Sequence, residues 1–142
     1  MSLVLKIKKL RPEAILPTYA HQGDAGLDIC ACETVTIAIG ERVMIPTGIS
    51  MEIPDGCVGL VWDKSGVSMK GGLKTLGGVV DSSYRGEIMI GIINLSKEQY
   101  VFEKGHKVAQ MIIQKKENVV VQEVTELSDT SRGEGGFGST GK

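Results

Sequence analysis

The chain has 142 residues, of which 42% are hydrophobic and 23% charged, and these values fit one globular domain with a substantial core. The net charge of -1 argues against a nucleic-acid polymer as partner, because such polymers select basic proteins. No apolar run approaches the roughly 18 residues of a membrane span, and three cysteines without a recognisable export signal predict reduced thiols in the cytoplasm.

Short apolar runs rich in valine and isoleucine recur along the chain and predict β-strands at residues 3–7, 34–39, 42–53, 57–62, 87–95, 107–115 and 118–124. Clusters of Gly, Pro, Asp and Ser separate these runs at the spacing of an all-β sandwich or barrel. The sequence predicts at most one short helical turn, near residues 65–70, where Ser65 is a candidate N-cap. We therefore predict an all-β, jelly-roll-like domain over residues 1–127.

The C-terminal segment, residues 128–142, has a different composition. Its hydrophobic anchors disappear except for Phe137, and a glycine-dense tail cannot bury enough apolar surface to order itself. A neutral spacer would not need an arginine and an aromatic residue, yet Arg132 and Phe137 are both present. We predict a flexible arm with a binding role.

The arm also matches two phosphate-loop patterns. Gly136, Gly138 and Gly141 fit G-x-G-x-x-G, and Lys142 completes G-x-x-x-x-G-K. Such patterns indicate a phosphate loop only where a strand precedes and a helix follows. No helix is expected after this arm, so the glycines need another explanation.

The stretch "VVDSSYRGEI", residues 79–88, is typical of a strand, a two-residue turn and a second strand. Asp81 and Tyr84 flank the turn at Ser82 and Ser83, so their side chains are expected side by side. An aspartate beside a turn ordinarily bonds to the local backbone. The residues on either side of Asp81 belong to a longer motif, which indicates a role for this aspartate beyond local hydrogen bonding.

Five separated stretches follow each other in a telling order: "DAGLDI" (24–29), "DKSGVSMKGG" (63–72), "GGVVDSSYRGEI" (77–88), "GHKVAQMI" (105–112) and "RGEGGFGSTG" (132–141). Together they resemble the five motifs of the trimeric deoxyuridine triphosphate nucleotidohydrolases, or dUTPases. The resemblance implies a homotrimeric, magnesium-dependent hydrolase that converts dUTP to dUMP and pyrophosphate by water attack on the α-phosphorus. Such an enzyme limits uracil incorporation into DNA and supplies dUMP for dTMP synthesis.

The resemblance places residues of the third motif beside the attacking water, the sugar and the base. By resemblance, Asp81 holds the attacking water as general base, and Tyr84 lies against the deoxyribose and leaves no room for a 2′-hydroxyl. Main-chain groups of the same region would pair with the uracil edge, at Thr75, Val79, Val80 and Met89. The family often has asparagine at the position of Thr75.

By the same resemblance, the first, second and fourth motifs supply the residues that surround the triphosphate. Lys64, Ser65 and Gly66 resemble phosphate ligands of the second motif, and Gln110 resembles a phosphate donor of the fourth. Asp28 resembles the aspartate that contacts magnesium through water. Magnesium retains several waters and uses substrate phosphates as ligands, which explains the lack of a carboxylate cluster.

Two lysines depart from the family pattern. The family usually has arginine at the position of Lys64 in the second motif and at that of Lys107 in the fourth. Lysine retains the positive charge but loses the planar, two-pronged donor of arginine.

The fifth motif explains the glycine-rich arm through the same resemblance. The arm would close over a site formed by other subunits, with Phe137 stacked on uracil. Phosphates would be gripped by Arg132, Gly138, Ser139 and Thr140. Glycines let the backbone approach the ligand closely, so no following helix is needed.

Two other functions remain open from the sequence. A dCTP deaminase-like enzyme would share the fold, but it predicts consecutive serines and a following arginine near the second motif and no "GFGST" arm. A regulatory protein that senses dUTP would retain the pocket without needing turnover. The presence of Asp81 and the complete arm favour catalysis.

Overall fold

The computed structural model describes residues 2–141, so Lys142, which completes the second phosphate-loop pattern, lies outside the described residues. The chain forms short strands, which are β1 (Lys6–Lys9), β2 (Leu27–Cys30), β3 (Val35–Ile37), β4 (Arg42–Pro46), β5 (Ile49–Glu52), β6 (Cys57–Asp63), β7 (Leu73–Leu76), β8 (Val79–Val80), β9 (Met89–Asn94), β10 (Tyr100–Phe102) and β11 (Lys107–Lys115). The all-β prediction is confirmed.

Two sheets carry the functional residues, and all their strand pairs are antiparallel. The larger sheet has the order β2-β11-β6-β8, and the second has the order β4-β9-β7. Two further strand pairs, β1-β5 and β3-β10, also contribute to the core through Ile49, Met51, Ile37 and Phe102. The central strand β11 lies between β2 and β6, so it ties the first, second and fourth motifs into one sheet.

One hydrophobic core joins the sheets. Ile29 and Met111 from the larger sheet and Ile45 and Ile92 from the second sheet are almost fully buried in the same cluster. Alternation of inward apolar and outward polar residues is the pattern that antiparallel strands need when one face is buried. Most of the valine and isoleucine runs of the sequence therefore form strands that contribute residues to this core.

The predicted helical turn is present as one π-helical turn, Gly66–Lys70. Ser65 occupies the N-cap position, but its backbone is already helical and its hydroxyl makes no capping hydrogen bond. The expectation that Ser65 caps the turn is therefore wrong. The turn ends at Gly71 and Gly72, and Gly72 adopts a φ of 71°, as expected of a glycine stop signal.

Three sequence predictions about strands need correction. The run 42–53 is two strands, because Gly48 turns the chain with a φ of 67° and a Cβ there would lie 3.0 Å from Ala14. Strands β2, β7 and β10 were not predicted, since each has only three or four residues. Residues 118–124 form no strand, because no segment among residues 2–141 pairs with them.

Within the described part of the chain, no helix is long and apolar enough to cross a membrane.

Candidate active site

The turn of the third motif forms as predicted, but its flanking strands do not form a hairpin. The N–H of Tyr84 donates to the carbonyl of Asp81 at 3.1 Å and closes the turn over Ser82 and Ser83. Strand β8 pairs with β6, whereas β9 pairs with β4 and β7. The strand-turn-strand hairpin is thus wrong, because the residues after the turn carry the chain from one sheet to the other.

Side chains of the connecting loop hold it in shape. The Tyr84 hydroxyl donates to the carbonyl of Glu87 at 2.9 Å, and an Arg85 guanidinium nitrogen donates to the carbonyl of Ser82 at 2.6 Å. A Cβ on Gly86 would lie 2.3 Å from the Tyr84 hydroxyl oxygen. The tyrosine ring therefore lies directly over Gly86, and only glycine leaves room for it.

An open pocket of about 270 Å³ lies beside this turn. Five residues predicted at the base and sugar end line it together: Val79, Val80, Asp81, Tyr84 and Met89. Its remaining lining is Met44, Val61, Leu76, Gly78, Glu87 and Ile88. A mostly apolar pocket with a few polar groups is the usual form of a small-molecule site.

The main chain at this pocket suits recognition of a flat polar edge. Strand β8 lies at the edge of its sheet and pairs only with β6 within residues 2–141. One side of the Val79–Val80 backbone is therefore without a partner strand, and an edge strand offers its N–H and C=O groups to a ligand.

Thr75 lies outside this pocket but lines a neighbouring pocket together with Val79. Its N–H donates to a carboxylate oxygen of Asp63 at 2.8 Å, and its side chain is buried. Burial would raise the pKa of Asp63, but the Lys74 ammonium and Thr75 outweigh it and lower that pKa. The Thr75 N–H is thus occupied within the chain.

A second group of predicted residues gathers around Asp28. This carboxylate is only 4% exposed, and the Lys64 ammonium donates a short hydrogen bond to its Oδ1. The Lys107 ammonium lies 2.8 Å from Oδ2 but without hydrogen-bond geometry, so Oδ2 has no hydrogen-bond donor among the described residues. The two lysines that depart from the family pattern meet on one aspartate.

The positive charges of the two lysines compensate the buried charge of Asp28. Burial alone would raise the pKa of Asp28, but the Lys107 and Lys64 ammonium groups outweigh burial and lower that pKa. The same contact raises the pKa of Lys107. The cluster holds one negative and two positive charges near neutral pH, and its net positive charge suits an anionic ligand.

Gln110 lies next to Asp28, directly opposite it across β11 and β2. Its side-chain amide donates to the main-chain carbonyl of Asp63 at 2.8 Å. A Cβ on Gly26 would lie 2.3 Å from the amide oxygen of Gln110. The glycine of the first motif therefore makes room for the glutamine of the fourth.

The two groups of residues lie far apart within one chain. Val80 is opposite Gly59 of β6, whereas Ala109, next to Gln110, is opposite Asp63. Four residues of strand separate Gly59 from Asp63, which corresponds to about 13 Å at about 3.3 Å per residue. Asp81 follows Val80 in the direction away from Asp63, because β8 is antiparallel to β6.

The described part of the arm, residues 128–141, makes no hydrogen bond to either group. Its hydrogen bonds are local, such as Arg132 to the carbonyl of Gly135 at 2.7 Å, and none joins residues 118–141 to residues 2–115. Phe137 is fully exposed and adopts a φ of 52°, unusual for a residue with a side chain. Gly138, Ser139 and Thr140 are exposed as well.

Sequence reasoning missed the positioning residues. Asp63 connects Gln110, Thr75 and Lys74, and Gly26 and Gly86 leave space for functional side chains. The glycines lie inside the recognised motifs, and that location was the available signal. Asp63 also lies inside a recognised motif, as the first residue of the second one, but its partners depend on strand pairing and could not be read from the sequence.

Comparison with known proteins supports the same assignment along the whole chain. The family model of dUTPase matches residues 12–141. The deoxyuridine 5'-triphosphate nucleotidohydrolase of Clostridium kluyveri is 49% identical over 139 residues, covering 96% of this chain and 97% of the relative. That of Clostridioides difficile is 45% identical with the same coverage.

Solved structures agree. The dUTPase of Staphylococcus bacteriophage 80alpha with dUPNHPP has a TM-score of 0.89 and 33% identity, covering 98% of this chain and 99% of that one. A mutant dUTPase from phage phi11 of S. aureus, described with a structural Mg(II) ion, has a TM-score of 0.83 and 28% identity, covering 89% of this chain and 99% of that one. Motifs, fold and relatives lead to one conclusion: the chain belongs to the dUTPase family.

Proposed function

We propose that this protein hydrolyses dUTP to dUMP and pyrophosphate. The observation that carries the proposal is the pocket beside the turn, where Asp81 and Tyr84 face an apolar cavity with an unpaired strand edge. Membership of the dUTPase family favours this reaction over the deaminase alternative. An exposed carboxylate at the pocket favours turnover over sensing alone.

The reaction assigns a task to each end of the site. Asp81 accepts a proton from a water whose oxygen forms a bond to the α-phosphorus, while the bond to the bridging oxygen breaks and pyrophosphate leaves. Tyr84 lies against the sugar and excludes a 2′-hydroxyl. Main-chain groups of Val79, Val80 and Met89 read the uracil edge, and cytosine would leave those groups unpaired.

Phosphate recognition falls to the cluster around Asp28. Lys64, with Ser65 and Gly66 at the start of the helical turn, and Gln110 would contact phosphate oxygens. The N–H groups of Ser65 and Gly66 have no acceptor among residues 2–141, which leaves them available for an anion. The two lysines supply positive charge at this end of the sheet.

The residues present fit magnesium held through water. Among the described residues no group of three or more His, Cys, Asp or Glu side chains can enclose a metal ion, but Oδ2 of Asp28 lacks a hydrogen bond and can accept one from a coordinated water. Magnesium bound to the triphosphate neutralises charge and fixes the phosphate oxygens. Asp28 would hold that ion through a coordinated water.

The active form is proposed to be a homotrimer with shared sites. The turn and the Asp28 cluster lie toward opposite ends of β6 in one chain, and in the proposed trimer each site would combine the turn of one subunit with the cluster of another. The exposed apolar run 119–121 supports this proposal, since Val120 is 96% exposed and a neighbouring subunit would cover it. The arm, residues 128–142, would then close over a neighbour's site.

The cellular location is part of the same proposal. Cys30, Cys32 and Cys57 are all unpaired and buried, which suits the reducing conditions of the cytoplasm.

Pyrophosphate release measured with each deoxynucleoside triphosphate and with UTP tests the activity. We expect turnover of dUTP far above that of dTTP, dCTP and UTP, because the strand edge and Tyr84 reject each competitor at a different position. Tyr84→Ala should raise the turnover of UTP relative to dUTP, whereas Tyr84→Phe, which retains the ring, should not. Equal turnover of several bases by the wild-type protein would contradict the proposal.

A further inference from the structure

Lys64 and Lys107 both form ion pairs with Asp28 in the absence of a nucleotide. Both ammonium groups contact one buried carboxylate, although the side chains of Lys64 and Lys107 remain 27% and 52% exposed. Their exposed parts face the end of the sheet where the triphosphate is expected. The positive charge of this end is therefore held by Asp28 while no nucleotide is bound.

Moving the lysines to a phosphate would leave Asp28 uncompensated. A buried carboxylate without a counter-charge carries a large desolvation cost, and at present each oxygen of Asp28 lies against one ammonium group. A triphosphate without metal adds negative charge and offers nothing to replace the lysines. A triphosphate that carries a hydrated divalent cation brings the missing positive charge with it.

We propose that Asp28 makes the site select the metal-bound triphosphate by retaining Lys64 and Lys107 until a divalent cation compensates its charge. The inference rests on the proposed function, because it assumes that a triphosphate binds at this cluster. Lysine suits an exchange of partners better than arginine. It presents a compact charge on a flexible stem, whereas arginine holds a carboxylate through a planar fork.

The test measures the affinity of the non-hydrolysable analogue dUPNHPP by calorimetry, with excess Mg²⁺ and with EDTA. Replacing Asp28 by asparagine releases the lysines at nearly constant volume. We expect Asp28→Asn to bind the metal-free analogue about tenfold more tightly than the wild type, and to lose most of the gain that Mg²⁺ gives. Coupling between two ligands typically amounts to about 5–150-fold, so the change is measurable.

The double variant Lys64→Arg with Lys107→Arg separates this idea from simple charge repulsion. It retains every charge but holds Asp28 more firmly, so we expect weaker metal-free binding and a larger gain from Mg²⁺. Repulsion alone predicts no change in this variant. Asp55→Asn, at an exposed turn, serves as the control for a lost surface charge and should match the wild type.

The results distinguish a failure of this inference from a failure of the proposed function. Equal metal-free affinity of the wild type and Asp28→Asn, or an arginine variant that matches the wild type, would overturn the inference while leaving the proposed function intact. Absence of analogue binding in every protein, with Mg²⁺ present and native thermal transitions retained, would overturn the proposed function and the inference with it.

Discussion

At the scale of single residues, the cluster on Asp28 links stability to pH. The lysines lower the pKa of this aspartate below its ordinary value of 3.8. A carboxyl group whose pKa is lowered on folding stabilises the fold above its unfolded pKa, and this contribution is lost as the pH falls through the folded pKa. Asp63, held by Lys74 and Thr75, acts in the same direction.

We therefore expect the free energy of unfolding to fall as the pH drops below about 4, with part of this fall due to Asp28. Urea unfolding of the wild type and of Asp28→Asn, measured between pH 3 and 7 at one protein concentration, checks this. The variant should show a shallower dependence on pH in the acid range. Parallel pH curves for both proteins would mean that Asp28 contributes nothing to acid sensitivity.

Asp81 gives a prediction about chemistry without a loss of fold. Asp81→Asn retains the size of the side chain at an exposed position and should leave the thermal midpoint unchanged. Loss of a general base typically costs about 10²–10⁴-fold, so kcat for dUTP should fall within that range while analogue binding persists. Steady-state kinetics with a parallel melt measure both. Near-normal turnover would remove Asp81 from the role of base.

At the scale of elements, the edge strand β8 and the valine run 119–121 have backbone groups without strand partners among the described residues. Within the part of the chain that the structure describes, strand β8 has two residues and one partner strand, and the valine run 119–121 has a strand-like sequence but no partner strand. A strand becomes stable only when a second backbone satisfies its hydrogen bonds. These elements are the places where a ligand or another subunit would complete the fold.

Removing residues 129–142 should separate catalysis from folding. The described part of this arm makes no hydrogen bond to the β domain, so the thermal midpoint without nucleotide should stay the same. The value of kcat/KM for dUTP should collapse, because the arm supplies the aromatic lid and several phosphate donors. A thermal melt without ligand measures the midpoint, and steady-state kinetics measure kcat/KM.

Phe137→Ala is the matched point variant and should reproduce part of the loss, since stacking on a base contributes roughly 1–3 kcal/mol. Unfolding of the truncated protein would make the arm structural. Unchanged kinetics would make it a spacer.

At the scale of the whole molecule, the separation of the turn from the Asp28 cluster along β6 motivates the proposed homotrimer. We expect light scattering to give the mass of a trimer. A stable, active monomer would contradict the shared site, because its two ends would then act more than about 13 Å apart along β6.

Subunit mixing tests the sharing directly. Asp81→Asn lacks the base, and Gln110→Ala lacks a phosphate donor at the other end of β6. If each site combines two chains, reassociated mixtures of the two variants should contain intact sites and exceed the mean activity of the separate variants. No gain on mixing would place both ends of a site in the same chain.

Much of this protein follows from local sequence. Valine and isoleucine runs broken by glycine and proline determine an all-β chain, because alternating apolar residues can bury only one face of a sheet. The motifs identified the pocket residues Val79, Val80, Asp81, Tyr84 and Met89, since base, sugar and backbone readout occupy one short stretch.

Other features depended on which strands pair. Sequence reasoning did not foresee that the Thr75 N–H bonds to Asp63, twelve residues earlier, which occurs because β6 and β7 contact each other across the two sheets. The meeting of Lys64 and Lys107 on Asp28 likewise follows from β11 lying between β2 and β6. Local sequence determined the strands, the turn and the chemistry of each motif, whereas long-range pairing decided which motifs share a charge and which lie apart.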